Sequence, residues 1–124
     1  TQVPVVWAEK YEQYLGVRPE NDAEGCLQDI HWSMGNFGYF PTYTLGNVLA
    51  AQIWAQFQKE NPNFSEILAK QDYSQVLGWL QRKVHQPGTL LGGLELVQQL
   101  TGEKLNASYL LNYLASKYMS KKFC

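Results

Sequence analysis

With 124 residues, 45% of them hydrophobic and 14% aromatic, the chain is sized for one compact domain with a core and is too apolar for a disordered segment. A formal net charge of −1 argues against a broad electrostatic grip on nucleic acid or an anionic membrane. No apolar run approaches the ~20 residues of a membrane span, and the N-terminus lacks a basic-then-apolar signal pattern.

The predicted elements are helical throughout. Pro4 suits a helix's first turn, Trp7, Tyr11, Tyr14 and Leu15 repeat at helical spacing, and Gly16 sits where a helix stops, so roughly 4–15 should be helical. Val17 to Glu24 is a polar connection, and 25–32 reads as a short helix through Leu27, Ile30 and Trp32. Ser33 to Phe40, with two glycines and an Asn, should turn. The strongest helix runs from about Thr42 to Lys59, with Leu45, Val48, Leu49, Ile53 and Phe57 along one side and Ala50, Ala51, Trp54 and Ala55 leaving little polar face. Such a helix is normally central in a larger fold. Asn61-Pro62 ends it, and Asn63 with Glu66 looks like a capping box. A helix at about 74–85 presents Val76, Leu77, Leu80 and Val84, and Gln86-Pro87-Gly88 turns. Glu95 to Leu100 should be helical with Gly102 as its stop. Asn106 should cap a last helix whose Leu110, Leu111, Leu114 and Tyr118 share a face, before a fraying tail from Ser120 to Cys124. The expected organisation is an all-α single helical unit over 1–124 with one functional loop.

That loop is the most informative part of the chain. Gly25-Cys26-Leu27-Gln28-Asp29-Ile30-His31-Trp32 is followed closely by Phe37-Gly38-Tyr39-Phe40-Pro41-Thr42-Tyr43-Thr44-Leu45-Gly46. A Gln, an Asp, a His and two Tyr thus fall between two helices, and a buried loop would need each polar group paired, at about 1–3 kcal/mol for each one left unpaired. The density suggests groups aimed at a ligand. The cysteines, Cys26 and Cys124, make neither a disulfide framework nor a metal-binding spacing, and a reducing, cytoplasmic setting is the simplest expectation.

The segment 25–46 resembles the thermostable (Taq-type) zinc carboxypeptidases, whose signature here reads Gly25-x-x-Gln28-Asp29-x-His31-Trp32. The resemblance continues through Tyr39-Phe40-Pro41-Thr42-Tyr43-Thr44-Leu45-Gly46, Thr101-Gly102-Glu103 and the Tyr-rich last helix. It also reaches back to Val6-Trp7, Lys10-Tyr11 and Tyr14-Leu15-Gly16. It implies a mainly helical zincin-type peptidase that releases C-terminal amino acids from peptides, with a homodimeric parent. It also implies that the zinc-binding His-Glu-x-x-His lies upstream of the matched region. The two histidines here, His31 and His85, are too far apart for that motif. The chain is therefore expected to be the C-terminal part of a longer enzyme, inactive alone and without zinc of its own. Its partners would be peptide substrate and the upstream portion of the same polypeptide.

Each motif residue carries a plain reading beside the functional one. A lone His31 would ordinarily be a histidine bonded to backbone; the resemblance makes it part of the active-site wall opposite the zinc, with Tyr39 and Tyr43 as the downstream tyrosines. Imidazole N–H and phenol O–H are donors able to stabilise the oxyanion that peptide hydrolysis builds. Asp29 either orients His31 or caps local backbone, and Gln28 has a supporting role beside it. Trp32 reads more as packing than contact, Gly25, Gly35 and Gly38 as backbone geometry, and Cys26 as a small apolar residue. His85 reads as a helix-end residue, and Arg18, Arg82, Lys117, Lys121 and Lys122 as solvated surface. The arginine that would bind the substrate's terminal carboxylate is implied to lie upstream. The rival reading is a non-catalytic all-α interaction or dimerisation module whose aromatic loop grips a partner.

Overall fold

Pro4 in the first turn and a left-handed Gly16 just past the last one bracket α1, Val3–Leu15, as the sequence predicts. The computed structural model describes residues 2–119. The further helices are α2 (Ile30–Ser33), α3 (Pro41–Glu60), α4 (Phe64–Ala69), α5 (Ser74–Leu80), α6 (Gly93–Thr101) and α7 (Ser108–Tyr118). Tight 3-10 turns lie at 26–28 and 88–90, and a wide π turn at 81–85. Among the described residues there is no strand, so the all-α expectation holds. No helix among them is long and apolar enough to cross a membrane. The tail from Ser120 to Cys124 lies outside the described residues.

The chain divides into two compact units, one running to Thr42 and the other starting at Tyr43. In the first, the turn at 26–28 packs against α1. Every residue of α1 keeps some exposure, while Gly25 and Cys26 are buried. Trp7 and Tyr11 stack along α1, with centroids 4.5 Å apart. Arg18 pairs with Glu12 at 2.7 Å, both side chains half exposed, a pairing that adds little stability.

The second unit is built around α3. Val48, Gln52 and Phe57 are its buried positions; Val48 and Gln52 lie one turn apart on one face, and Phe57 lies on another, so α3 is covered on more than one side. Phe57 stacks on Trp54 at 5.2 Å and meets Trp79 of α5 edge to face at 5.5 Å. Ile67 of α4 and Val97 of α6 complete this core. The Trp79 indole N–H donates to Glu60 at 2.7 Å. That bond, helped by the Gln56 amide, holds the Glu60 carboxyl below its usual range, and Lys83 adds a weaker pull. Gln52 is fully buried, and its amide is satisfied by three groups far away in sequence. Its Nε2 donates to Thr101 Oγ1 (3.1 Å) and to the Lys104 carbonyl (3.2 Å), and its Oε1 accepts from the Asn106 N–H (2.9 Å). One side chain thereby pins the α6–α7 connection to the middle of α3.

Four local expectations are revised. The Asn63 side chain makes no cap; its carbonyl does the work, accepting from the N–H groups of Glu66 and Ile67 at 3.0 and 3.3 Å. The helix expected over 74–85 ends at Leu80 and opens into the π turn, where the Gln86 N–H reaches back to the Gln81 carbonyl at 2.8 Å. Pro87 follows at once; it donates no hydrogen bond and crowds the turn before it. Asn106 does accept from the Ser108 N–H at 3.0 Å, so it sits one residue ahead of the conventional cap position. On the face expected of α7, Leu111, Leu114 and Tyr118 are exposed.

Candidate functional site

The motif residues are organised by backbone turns before any side chain is considered. Gly25 is buried, and a Cβ there would come within 3.2 Å of the Asn21 carbonyl and the Pro19 ring, so any side chain would make the 19–21 loop give by a few tenths of an ångström. The Gln28 side-chain amide donates to the Ala23 carbonyl, tying the 26–28 turn to the same loop. Asp29, extended at φ −83° and ψ 96°, then opens α2 as its N-cap.

Asp29 serves both of the roles left open for it. Its Oδ1 accepts from the His31 backbone N–H at 2.9 Å and meets the His31 Nδ1 at 2.7 Å. A carboxylate can only accept, so Nδ1 is the ring nitrogen that carries the proton facing it, which fixes the imidazole's orientation. One oxygen caps the helix and holds the ring.

Gly35, at φ 78°, takes the left-handed conformation that ends α2. The chain then folds back, with the Asn36 N–H donating to the His31 carbonyl at 2.8 Å. This return brings Tyr39 over the imidazole face, with centroids 5.0 Å apart and planes 22° off parallel. Phe40 meets the same imidazole nearly at right angles, 5.3 Å away at 84°. The His31 side chain is 14% exposed and that of Asp29 13%, although Tyr39 and Phe40 are themselves 45% and 56% exposed. Trp32 stacks on Phe37 with centroids 6.1 Å apart.

The structure therefore brings Asp29, His31 and Tyr39 together in the first unit, with Gln28 and Gly25 supporting the turn beneath them. Tyr43 lies in the second unit, in the first turn of α3, with its residue 53% exposed. Phe40 escaped the sequence reading because an apolar residue in a turn gives no chemical signal. Gln52 escaped it too, though an amide inside the Ala50–Ala55 apolar run was a sign that it must be buried and bonded. Among the described residues no three His, Cys, Asp or Glu side chains gather into a group able to hold a metal ion, so they do not by themselves make up a metal's ligand set.

This geometry sits in a recognisable family. The model for carboxypeptidase Taq (M32) metallopeptidases matches residues 1–118, and the chain belongs to that family. It is 43% identical over 116 residues to carboxypeptidase 1 of Bacillus subtilis, covering 94% of this chain and 23% of that protein. It is similar in structure to Pyrococcus furiosus carboxypeptidase, with a TM-score of 0.89 at 40% identity, covering 94% of this chain and 23% of the other. Metallocarboxypeptidase 1 of Trypanosoma cruzi gives a TM-score of 0.88 at 42% identity, covering 94% and 24%. The chain thus spans 23% of the length of the curated relatives it matches and is a portion of an M32 carboxypeptidase.

Proposed function

We propose that this chain is the C-terminal portion of a zinc metallocarboxypeptidase that removes single residues from peptide C-termini, and that its His31 loop forms part of the wall of the parent's cleft. The zinc ligands would come from the upstream portion of the same polypeptide. The observation that carries the reading is the Asp29–His31 pair at 2.7 Å beneath Tyr39, built from the residues of the family signature. The carboxylate and the rings hold this imidazole in one orientation. That is what a hydrogen-bond donor aimed at developing negative charge requires, since such donors work by being fixed in place before reaction.

In this reading the doubly protonated ring of His31, its Nδ1–H held by Asp29, donates its Nε2–H to the oxygen of the attacked carbonyl as it gains charge, and Asp29 keeps the ring from turning away. Tyr43 is proposed as a second donor on the family resemblance. Tyr39 contributes the ring that covers His31 and a surface against the substrate. A cytoplasmic, homodimeric parent is proposed on the resemblance alone.

The test pairs the parent with the chain alone. The purified full-length parent is expected to bind zinc near stoichiometrically and release C-terminal residues from a peptide. The 124-residue chain is expected to do neither, because a catalytic zinc normally needs about three protein ligands. Near-equimolar zinc with robust turnover by the chain alone would overturn the proposal, as would a parent reading frame without His-Glu-x-x-His.

A further inference from the structure

The side of α3 that carries Val48 and Gln52 is buried, with Gln52 bonded to the connection after α6. Two residues on from Val48 and Gln52, Ala50 and Trp54 point roughly the opposite way, and there the helix borders two grooves. One, of about 510 Å³, lies between α3 and α7 and is lined by Ala51 and Leu114 among others. The second, of about 270 Å³, lies between α3 and α5 and is lined by Ile53 and Leu80 among others. Ala50 and Trp54 line both, so the grooves are neighbours on one face. None of the described residues lining either groove is charged.

An uncharged apolar surface of this extent is costly to leave in water and marks an interface. A helix apolar most of the way round is normally enclosed in a core. Shape narrows the occupant. A two-fold contact brings the same patch to both sides, so a second copy presenting this face would set hollow against hollow. What fits is a convex apolar element, such as a helix whose side-chain ridges enter the grooves. The supply of such elements lies in the rest of the polypeptide: more than three quarters of the length of the curated relatives falls outside the region this chain matches.

We propose that the Ala50–Trp54 face of α3 is where the upstream portion of the parent packs, with an apolar helix of that portion lying along the grooves that α5 and α7 flank. The proposal rests on the reading of this chain as the C-terminal portion of a longer polypeptide.

The test uses the full-length parent. A diazirine-bearing aliphatic amino acid in place of Leu114, which is 40% exposed in this chain, keeps the size of the side chain and reports what lies against it. Equal amounts of isotope-labelled and unlabelled parent are mixed and irradiated, and the crosslinked peptides are identified by mass spectrometry. The expected crosslink joins position 114 to a residue upstream of Thr1 in the same molecule. Crosslinks that pair the two isotopes would overturn the proposal in favour of a second copy. Crosslinks confined to positions 1–124, or capture of water alone, would overturn it outright. Ala50→Glu gives a second readout, because Ala50 is exposed in this chain. It is expected to lower the parent's Tm by about 5 °C or more, since the charge would be buried, whereas on a free helix surface the shift is about 1 °C or less. A shift in that smaller range would also overturn the proposal. A parent that crosslinks as expected but binds no zinc would leave this face standing and sink the carboxypeptidase reading instead.

Discussion

Gln52 and His31 are both polar side chains drawn away from water, and the chain holds them in opposite ways. Gln52 is fully buried and bonds to groups at positions 101, 104 and 106, about fifty residues away, so its amide ties separate helices together. His31 is held by neighbours from its own loop, Asp29, Tyr39 and Phe40, and is covered by rings that themselves face solvent. The first arrangement stabilises a fold and presents nothing. In the second, Asp29, Tyr39 and Phe40 all lie within nine positions of His31 in sequence. What it accomplishes is the orientation of one imidazole near a surface.

The comparison breaks most visibly at Gln52. Replacing it with Leu in the parent strands the Asn106 N–H and the Lys104 carbonyl, at about 1–3 kcal/mol for each group left unpaired. Chemical denaturation should show that loss, while the folded fraction keeps a normal kcat. A stable Gln52→Leu protein would mean that water reaches these groups and the amide is dispensable.

The next effect sharpens the other side. Tyr43→Phe in the parent should lower kcat by about 10²-fold, as for loss of one oxyanion donor, with the ring's packing kept. Tyr39→Phe keeps the stack on His31 and should mostly alter KM, or do little. Steady-state kinetics of both variants on one peptide decides between them; a normal Tyr43→Phe beside a crippled Tyr39→Phe would reverse the assignment.

The smallest effect concerns acid stability around α3. Glu60 is held below its ordinary value of 4.5 chiefly by the Trp79 N–H. A carboxyl whose folded pKa is lowered contributes stability that is present above the unfolded value and lost as pH falls through the folded one. Glu60→Gln should therefore melt lower than wild type at neutral pH, by no more than about 1 kcal/mol for so exposed a group. The gap should close as pH falls below 4.5. A gap that stays constant across the acid range would remove the charge from this account.

Much of the fold was legible because its signals are local. Pro4 and Gly16 bound α1, Pro41 opens α3, and Gly102 stops α6 through backbone preferences that act within one turn. The misreadings fall where a local preference had alternatives. Asn63 offered a side-chain cap but used its carbonyl, and the 74–85 stripe continued smoothly through residues that the chain wound into a π turn. In the site, Asp29 and His31 were readable because acid and imidazole two positions apart can reach each other at a helix start. Phe40 was not, because a ring's contact with an imidazole depends on how the Gly35 and Gly38 turns fold the loop back, and residue type does not encode that path.

The most direct test of the account places His31→Ala and Gln52→Leu side by side in the parent, with kcat, KM and melting temperature measured for both. His31→Ala is expected to lose about 10²-fold or more in kcat, with less effect on KM and a melting temperature near wild type. Gln52→Leu is expected to melt earlier with kcat preserved in the folded enzyme. A His31→Ala enzyme whose kcat stays within a few-fold of wild type would contradict the account and return the imidazole to the scaffold.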